Sequence, residues 1–112
     1  MTLCHNGDND ICDSARGNAE HGGLSAFGRE VVREMNRVGM MVDLSHTAES
    51  TFWQVLECSE KPVVCSHSSC RALCDHLRNL TDEQMRALAA KGGVVQVTMR
   101  SEERRVGKEC YS

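Results

Sequence analysis

Met40-Met41-Val42-Asp43-Leu44-Ser45-His46 and Pro62-Val63-Val64-Cys65-Ser66-His67-Ser68-Ser69 decide the reading of this chain. Both are short apolar runs that end in Ser-His. A helix-like segment separates them, so the interval reads as strand, helix, strand. Strands joined by a helix usually lie parallel in one sheet. Both histidines then emerge at the carboxyl ends of neighbouring strands, the edge where α/β folds place their chemistry. Two imidazoles at such an edge can form half of a metal site, although from spacing alone either is more often an ordinary polar residue than a ligand.

The pattern continues on either side. Residues 1–23 are polar and rich in Gly, Asn and Asp, and read as a strand end followed by a long loop. Phe27, Val31, Met35 and Val38 recur at helical spacing, with Ser25 as a cap and Gly39 as a stop. Glu30–Arg33 and Glu34–Arg37 form mixed pairs on the other face. A second helix runs from about 48 to 58, with Thr47 as its cap and Phe52, Val55 and Leu56 turned inward. Pro62 opens the second strand, where a missing N–H does least harm. Thr81-Asp82-Glu83-Gln84 is a capping-box pattern that starts a third helix over about 82–91. Lys91-Gly92-Gly93 ends it, and Val94-Val95-Gln96-Val97-Thr98 is a further strand.

The alternation implies an α/β fold with three to four parallel strands and outer helices. Such sheets need both faces covered. A chain of 112 residues leaves much of one face open, so this chain reads as part of something larger. The net charge of −3 and the 4% aromatic content argue against nucleic acid as a partner. No apolar stretch reaches the roughly 20 residues of a membrane span. Met1 to His5 show no basic region followed by an apolar one, so a cytoplasmic location is expected. Seven cysteines, none in a Cys-x-x-Cys pair, fit reduced and buried thiols better than a disulfide framework. Residues 100–112 fit neither a core strand nor a capped helix, and are read as a non-native or disordered tail.

Leu24-x-x-Phe27-Gly28-Arg29-Glu30-Val31-Val32-x-Glu34-Met35-Asn36-Arg37-x-Gly39-Met40, then Val42-Asp43-Leu44-Ser45-His46, Ser66-His67-Ser68-Ser69 and Arg78-Asn79-Leu80 resemble the membrane dipeptidase (renal dipeptidase) family of zinc peptidases. The resemblance covers about residues 1–99. It implies that these form the central portion of a (β/α)8 barrel, a fold of about 250 residues. It implies a two-zinc centre at the strand ends, with His46 and His67 as ligands of the second zinc. It gives His5, in Thr2-Leu3-Cys4-His5, a substrate-binding and catalytic role, although Cys4 stands where the family has Thr. Arg78 matches the arginine that holds the substrate's terminal carboxylate, a task suited to a planar fork of donors. The implied reaction is hydrolysis of a dipeptide by a metal-bridged hydroxide.

The resemblance also marks what this chain lacks. The family's first-zinc His-x-Asp pair, its bridging glutamate and its acid-base aspartate have no counterpart here. The isolated segment is therefore expected to be inactive. A homodimer of the parent enzyme is left open. Two other classes compete: a non-catalytic relative of the barrel, and a small structural zinc module using Cys65, His67, Cys70 and Cys74. Asp43 reads either as a partner that orients His46 or as a strand-end carboxylate bonded to backbone. His21 reads as a loop residue and His76 as an exposed one.

Overall fold

The computed structural model describes residues 1–69, 71, 75–76 and 78–97. The expected tail at 100–112 lies outside them, as do Cys70, Cys74 and Cys110. Three helices and two strands follow in order: α1 (Ala26–Val38), α2 (Glu49–Cys58), β1 (Val64–Ser68), α3 (Asp82–Ala90) and β2 (Val94–Val97). β1 and β2 pair in parallel, with Val64 opposite Val94 and Cys65 opposite Val95. The result is an α/β fold around a small parallel sheet.

Two further segments extend the sheet without forming regular strands. Asp43 bridges in parallel to Thr2 on one side and to Val64 on the other. The Leu44 N–H donates to the Val64 carbonyl at 2.8 Å, and the Val64 N–H to the Val42 carbonyl at 2.9 Å. The expected strand at 40–45 is thus a parallel neighbour of β1, reduced to single bridges. The cause is local: one oxygen of Asp43 accepts the N–H groups of both Ser45 and Ser66, each at 3.0 Å. Those donors are diverted from a regular ladder.

The helix ends follow the sequence signals. Ser25 is extended and its hydroxyl accepts the Gly28 N–H, while Gly39 closes α1 in the left-handed conformation at φ 80°. Thr81 and Gln84 form the reciprocal capping box of α3. Gly92, at φ 82°, turns the chain into β2. Thr47 is not the cap of α2. Ala48 holds that position without a side-chain bond, and the Thr47 hydroxyl donates to the Leu44 carbonyl at 2.6 Å.

The buried face of α1 also differs from the expected stripe. Phe27 and Val38 are each 55% exposed, whereas Gly28, Val32, Met35 and Asn36 face inward. Two of these carry no hydrophobic signal. A Cβ at Gly28 would lie 2.1 Å from the Ile11 carbonyl, so only glycine lets the 9–13 loop lie against the helix. Asn36 exchanges hydrogen bonds with Ser59 and accepts the Glu60 N–H, joining α1 to the end of α2. Of the two expected α1 ion pairs, Glu34–Arg37 is formed, on the exposed side.

The core gathers Leu3, Leu24, Val32, Met35, Val42, Leu44, Phe52, Val55, Val63, Cys65 and Leu88. Burying such side chains supplies the main favourable term in folding. Adjacent helices pack pairwise, and α3 packs on β2. Among the described residues, Cys4, Cys12, Cys58 and Cys65 are free thiols. Among the described residues, no helix is long and apolar enough to cross a membrane.

Candidate active site

The polar 5–23 segment is an ordered loop organised around two carboxylates. Asp8 accepts the N–H groups of Ser14, Asn18 and Glu20. Asp13 accepts those of His21 and Gly23. These side chains satisfy backbone donors that no sheet or helix would take. His21 serves this loop as well, with Nε2 2.6 Å from the Asn9 carbonyl oxygen. The loop thereby brings Ser14 between two histidine peptides. Its hydroxyl lies 2.5 Å from the His5 carbonyl oxygen and 3.1 Å from that of His46.

His46 is only 7% exposed and adopts φ 74°. A non-glycine residue in the left-handed region costs on the order of 1–3 kcal/mol and persists only where its surroundings dictate it. Here they do: its carbonyl accepts the Ala15 N–H at 2.7 Å and faces the Ser14 hydroxyl.

His67 lies within β1, one strand over. Its N–H donates to the Ser45 hydroxyl at 2.9 Å, and Nδ1 lies 2.7 Å from the Ser66 hydroxyl. The His46 and His67 ring centroids are 4.7 Å apart and inclined at 64°. The His5 ring also lies against His46, 4.1 Å away at 32°, closer to stacking. Arg78 completes the group from the segment after β1. It is 5% exposed, deeper than a rim residue, and Nη2 donates to the His67 carbonyl at 2.9 Å. His46 and Arg78 line the same small cavity, with Leu44, Ser68 and Gln84. The four residues singled out in the sequence therefore converge in space.

The electrostatics favour the neutral form of the His46 and His67 rings. Burial, then the charge of Arg78, push the His46 ring down to about 4. The same two causes lower His67. Neutral imidazole is the form that binds a metal. Nδ1 of His46 is buried and has no hydrogen-bond partner among the described residues. An unpartnered ring nitrogen beside a second imidazole suits a divalent cation. Among the described residues, no set of three or more His, Cys, Asp or Glu is arranged to hold an ion.

Asp43 resolves towards backbone bonding, with one addition. Burial works against its ionisation, but the hydroxyl and N–H of Ser66, the N–H of Ser45 and the hydroxyl of Thr2 hold its carboxyl below the ordinary range. Its side chain reaches Ser66, beside His67, rather than His46. His76 is half-buried, and its Nδ1 accepts the Arg78 N–H at 3.2 Å. Sequence reasoning missed Ser14, Ser45 and Ser66. The available signal was the serine that precedes each histidine. Ser14 carried none, because its role depends on how the loop folds back. A larger groove of about 550 Å3, bordered by Glu49, Trp53, Arg71 and Arg86, contains none of the histidines.

Parallel strands, packed helices and two buried or half-buried imidazoles at the carboxyl edge define an α/β protein with its candidate site at the end of the sheet. The family model for membrane dipeptidase, peptidase family M19, matches residues 1–104, and the chain belongs to that family of hydrolases. Dipeptidase verJ of Clonostachys rogersoniana is 48% identical over 99 residues, covering 88% of this chain and 26% of that protein. The probable dipeptidase PvdM from Pseudomonas aeruginosa superposes with a TM-score of 0.83 at 37% identity, over 86% of this chain and 26% of its own. A metallopeptidase from Rhodobacter sphaeroides, solved with a phosphinate mimic of the dipeptide L-Ala-D-Ala, has a TM-score of 0.67 at 39% identity, over 69% of this chain and 22% of that one. The chain thus spans about a quarter of the length of these relatives.

Proposed function

We propose that residues 1–99 are the central portion of a (β/α)8-barrel, zinc-dependent dipeptidase, with 100–112 a non-native tail. The observation that carries this reading is the pairing of two neutral imidazoles, 4.7 Å apart, at adjacent parallel strand ends. Family membership and the dipeptide mimic bound to the Rhodobacter relative support the substrate class.

His46 and His67 would hold zinc, a reading supported by the unpartnered Nδ1 of His46. The metal would supply Lewis-acid chemistry for hydrolysis of the peptide bond. Arg78 binds the terminal carboxylate of the dipeptide through its planar guanidinium. Its burial strengthens that contact. His5 is held by Ser14 against His46 and offers its ring to the oxyanion that develops at the scissile carbon. Two histidines are half of a coordination sphere, so the 112-residue chain alone binds zinc weakly and hydrolyses no dipeptide.

The test is metal content and dipeptide hydrolysis by the complete enzyme that carries this segment, with His46→Ala and His67→Ala beside it. Each variant is expected to lose zinc and most turnover. Full zinc occupancy and normal activity in His67→Ala would overturn the assignment.

A further inference from the structure

The Asp43 carboxylate receives four donors. One oxygen takes the N–H groups of Ser45 and Ser66, each at 3.0 Å. The other takes the Thr2 hydroxyl at 2.7 Å and the Ser66 hydroxyl. A carboxylate only accepts, so the single hydroxyl proton of Ser66 is committed to Asp43. The same Ser66 oxygen lies 2.7 Å from Nδ1 of His67. It faces that nitrogen with a lone pair, and a hydrogen bond there requires the proton to sit on Nδ1.

We infer that Asp43 and Ser66 form a relay that fixes His67 as its Nδ1–H tautomer and leaves Nε2 as the one lone pair for zinc. Both are positioning residues, acting through His67. The zinc half of this inference rests on the function proposed above, while the tautomer rests on hydrogen-bond geometry alone. The relay runs from carboxylate through hydroxyl to imidazole. It fixes the orientation of the ring and raises the basicity of Nε2, as outer partners of metal-binding histidines do. It also explains how Asp43 is buried with no ion pair among the described residues. The same carboxylate ties together the three segments that contain Thr2, Ser45 and Ser66.

The test uses the complete enzyme carrying these residues, labelled with 15N-histidine. Ring 15N shifts of the metal-free protein report the His67 tautomer, and competition with a chelator reports zinc affinity. Wild type is expected to show Nδ1–H at His67. Ser66→Ala is expected to give mixed tautomers and about tenfold weaker zinc binding, within the 10–100-fold range for such partners. Ser66→Thr, which keeps the hydroxyl, is expected to restore both. An Nε2–H tautomer in wild type overturns the inference, and needs no variant that folds. So does a Ser66→Ala protein with a single Nδ1–H tautomer and unchanged zinc affinity. Failure of wild type to bind zinc at all, with His67 still Nδ1–H, would instead remove the proposed function and leave the tautomer assignment standing.

Discussion

The hydroxyl of Ser14 lies 3.1 Å from the carbonyl oxygen of His46, across a separation of 32 residues. The same hydroxyl lies 2.5 Å from the His5 carbonyl oxygen. One buried side chain therefore sets the spacing of two histidine peptides. Ser14→Ala removes the single hydroxyl proton these two carbonyls share; His46 keeps the Ala15 N–H, so the cost falls mainly on the His5 carbonyl. A loss of about 1–2 kcal/mol is expected in urea unfolding of the complete enzyme, together with reduced turnover as His5 drifts from His46. Unchanged stability and kinetics would show that the loop is held without it.

The backbone of His46 makes a second, sharper prediction. At φ 74° it sits where glycine rests without a steric penalty. His46→Ala removes the ring and keeps the strain. His46→Gly removes both, although glycine also gives the unfolded chain more freedom. The glycine variant should be the more stable of the two by about 0.5–1 kcal/mol, while both lose zinc. Equal unfolding midpoints, or a more stable alanine variant, would show that the left-handed turn is not strained.

Acid should weaken the metal-free enzyme through the same residue. The folded-state value of His46, about 4, lies below its ordinary value of 6.5. Between those values the unfolded chain binds a proton that the native ring refuses, so stability rises with pH there. The contribution is complete above about pH 6.5 and is lost as pH falls through about 4. His67 shifts in the same direction. Urea midpoints at pH 7 and pH 5 should differ more for wild type than for His46→Ala. An identical pH dependence would show that the buried ring is not held neutral.

Much of this was legible in the residues themselves. Ser25 with Gly39, and Thr81 with Gln84, mark helix ends through local chemistry that needs no tertiary context. The two Ser-His endings located His46 and His67 because apolar runs between helices leave few places for their ends. The buried face of α1 was misread because packing there depends on Gly28, valued for a missing Cβ, and on Asn36, valued for bonds to Ser59 and Glu60. Hydrophobic periodicity registers neither. The 40–45 segment became single bridges because the Asp43 side chain competes for ladder N–H groups, a contest settled only once Ser66 lies alongside. The role of Ser14 arises from loop closure, so no local pattern reveals it.

Arg78 supports the last prediction. Its guanidinium is buried, and Nη2 is engaged by the His67 carbonyl at 2.9 Å. A planar fork can hold that carbonyl and still offer donors to a substrate carboxylate. A lysine carries one compact ammonium on a flexible stem and cannot span both partners in the same geometry. Arg78→Lys in the complete enzyme should therefore keep its charge yet lose a charge-assisted hydrogen bond. Such bonds contribute about 1.5–3 kcal/mol, or roughly ten- to hundredfold in kcat/KM. The loss should appear mainly as a raised KM, because the terminal carboxylate is bound alike in ground and transition states. Dipeptides with an amidated C-terminus give the control: lacking the carboxylate, they should be poor substrates for wild type and little affected further by the substitution. Equal fold-losses on free and amidated dipeptides would place Arg78 in support of His67 rather than in contact with substrate.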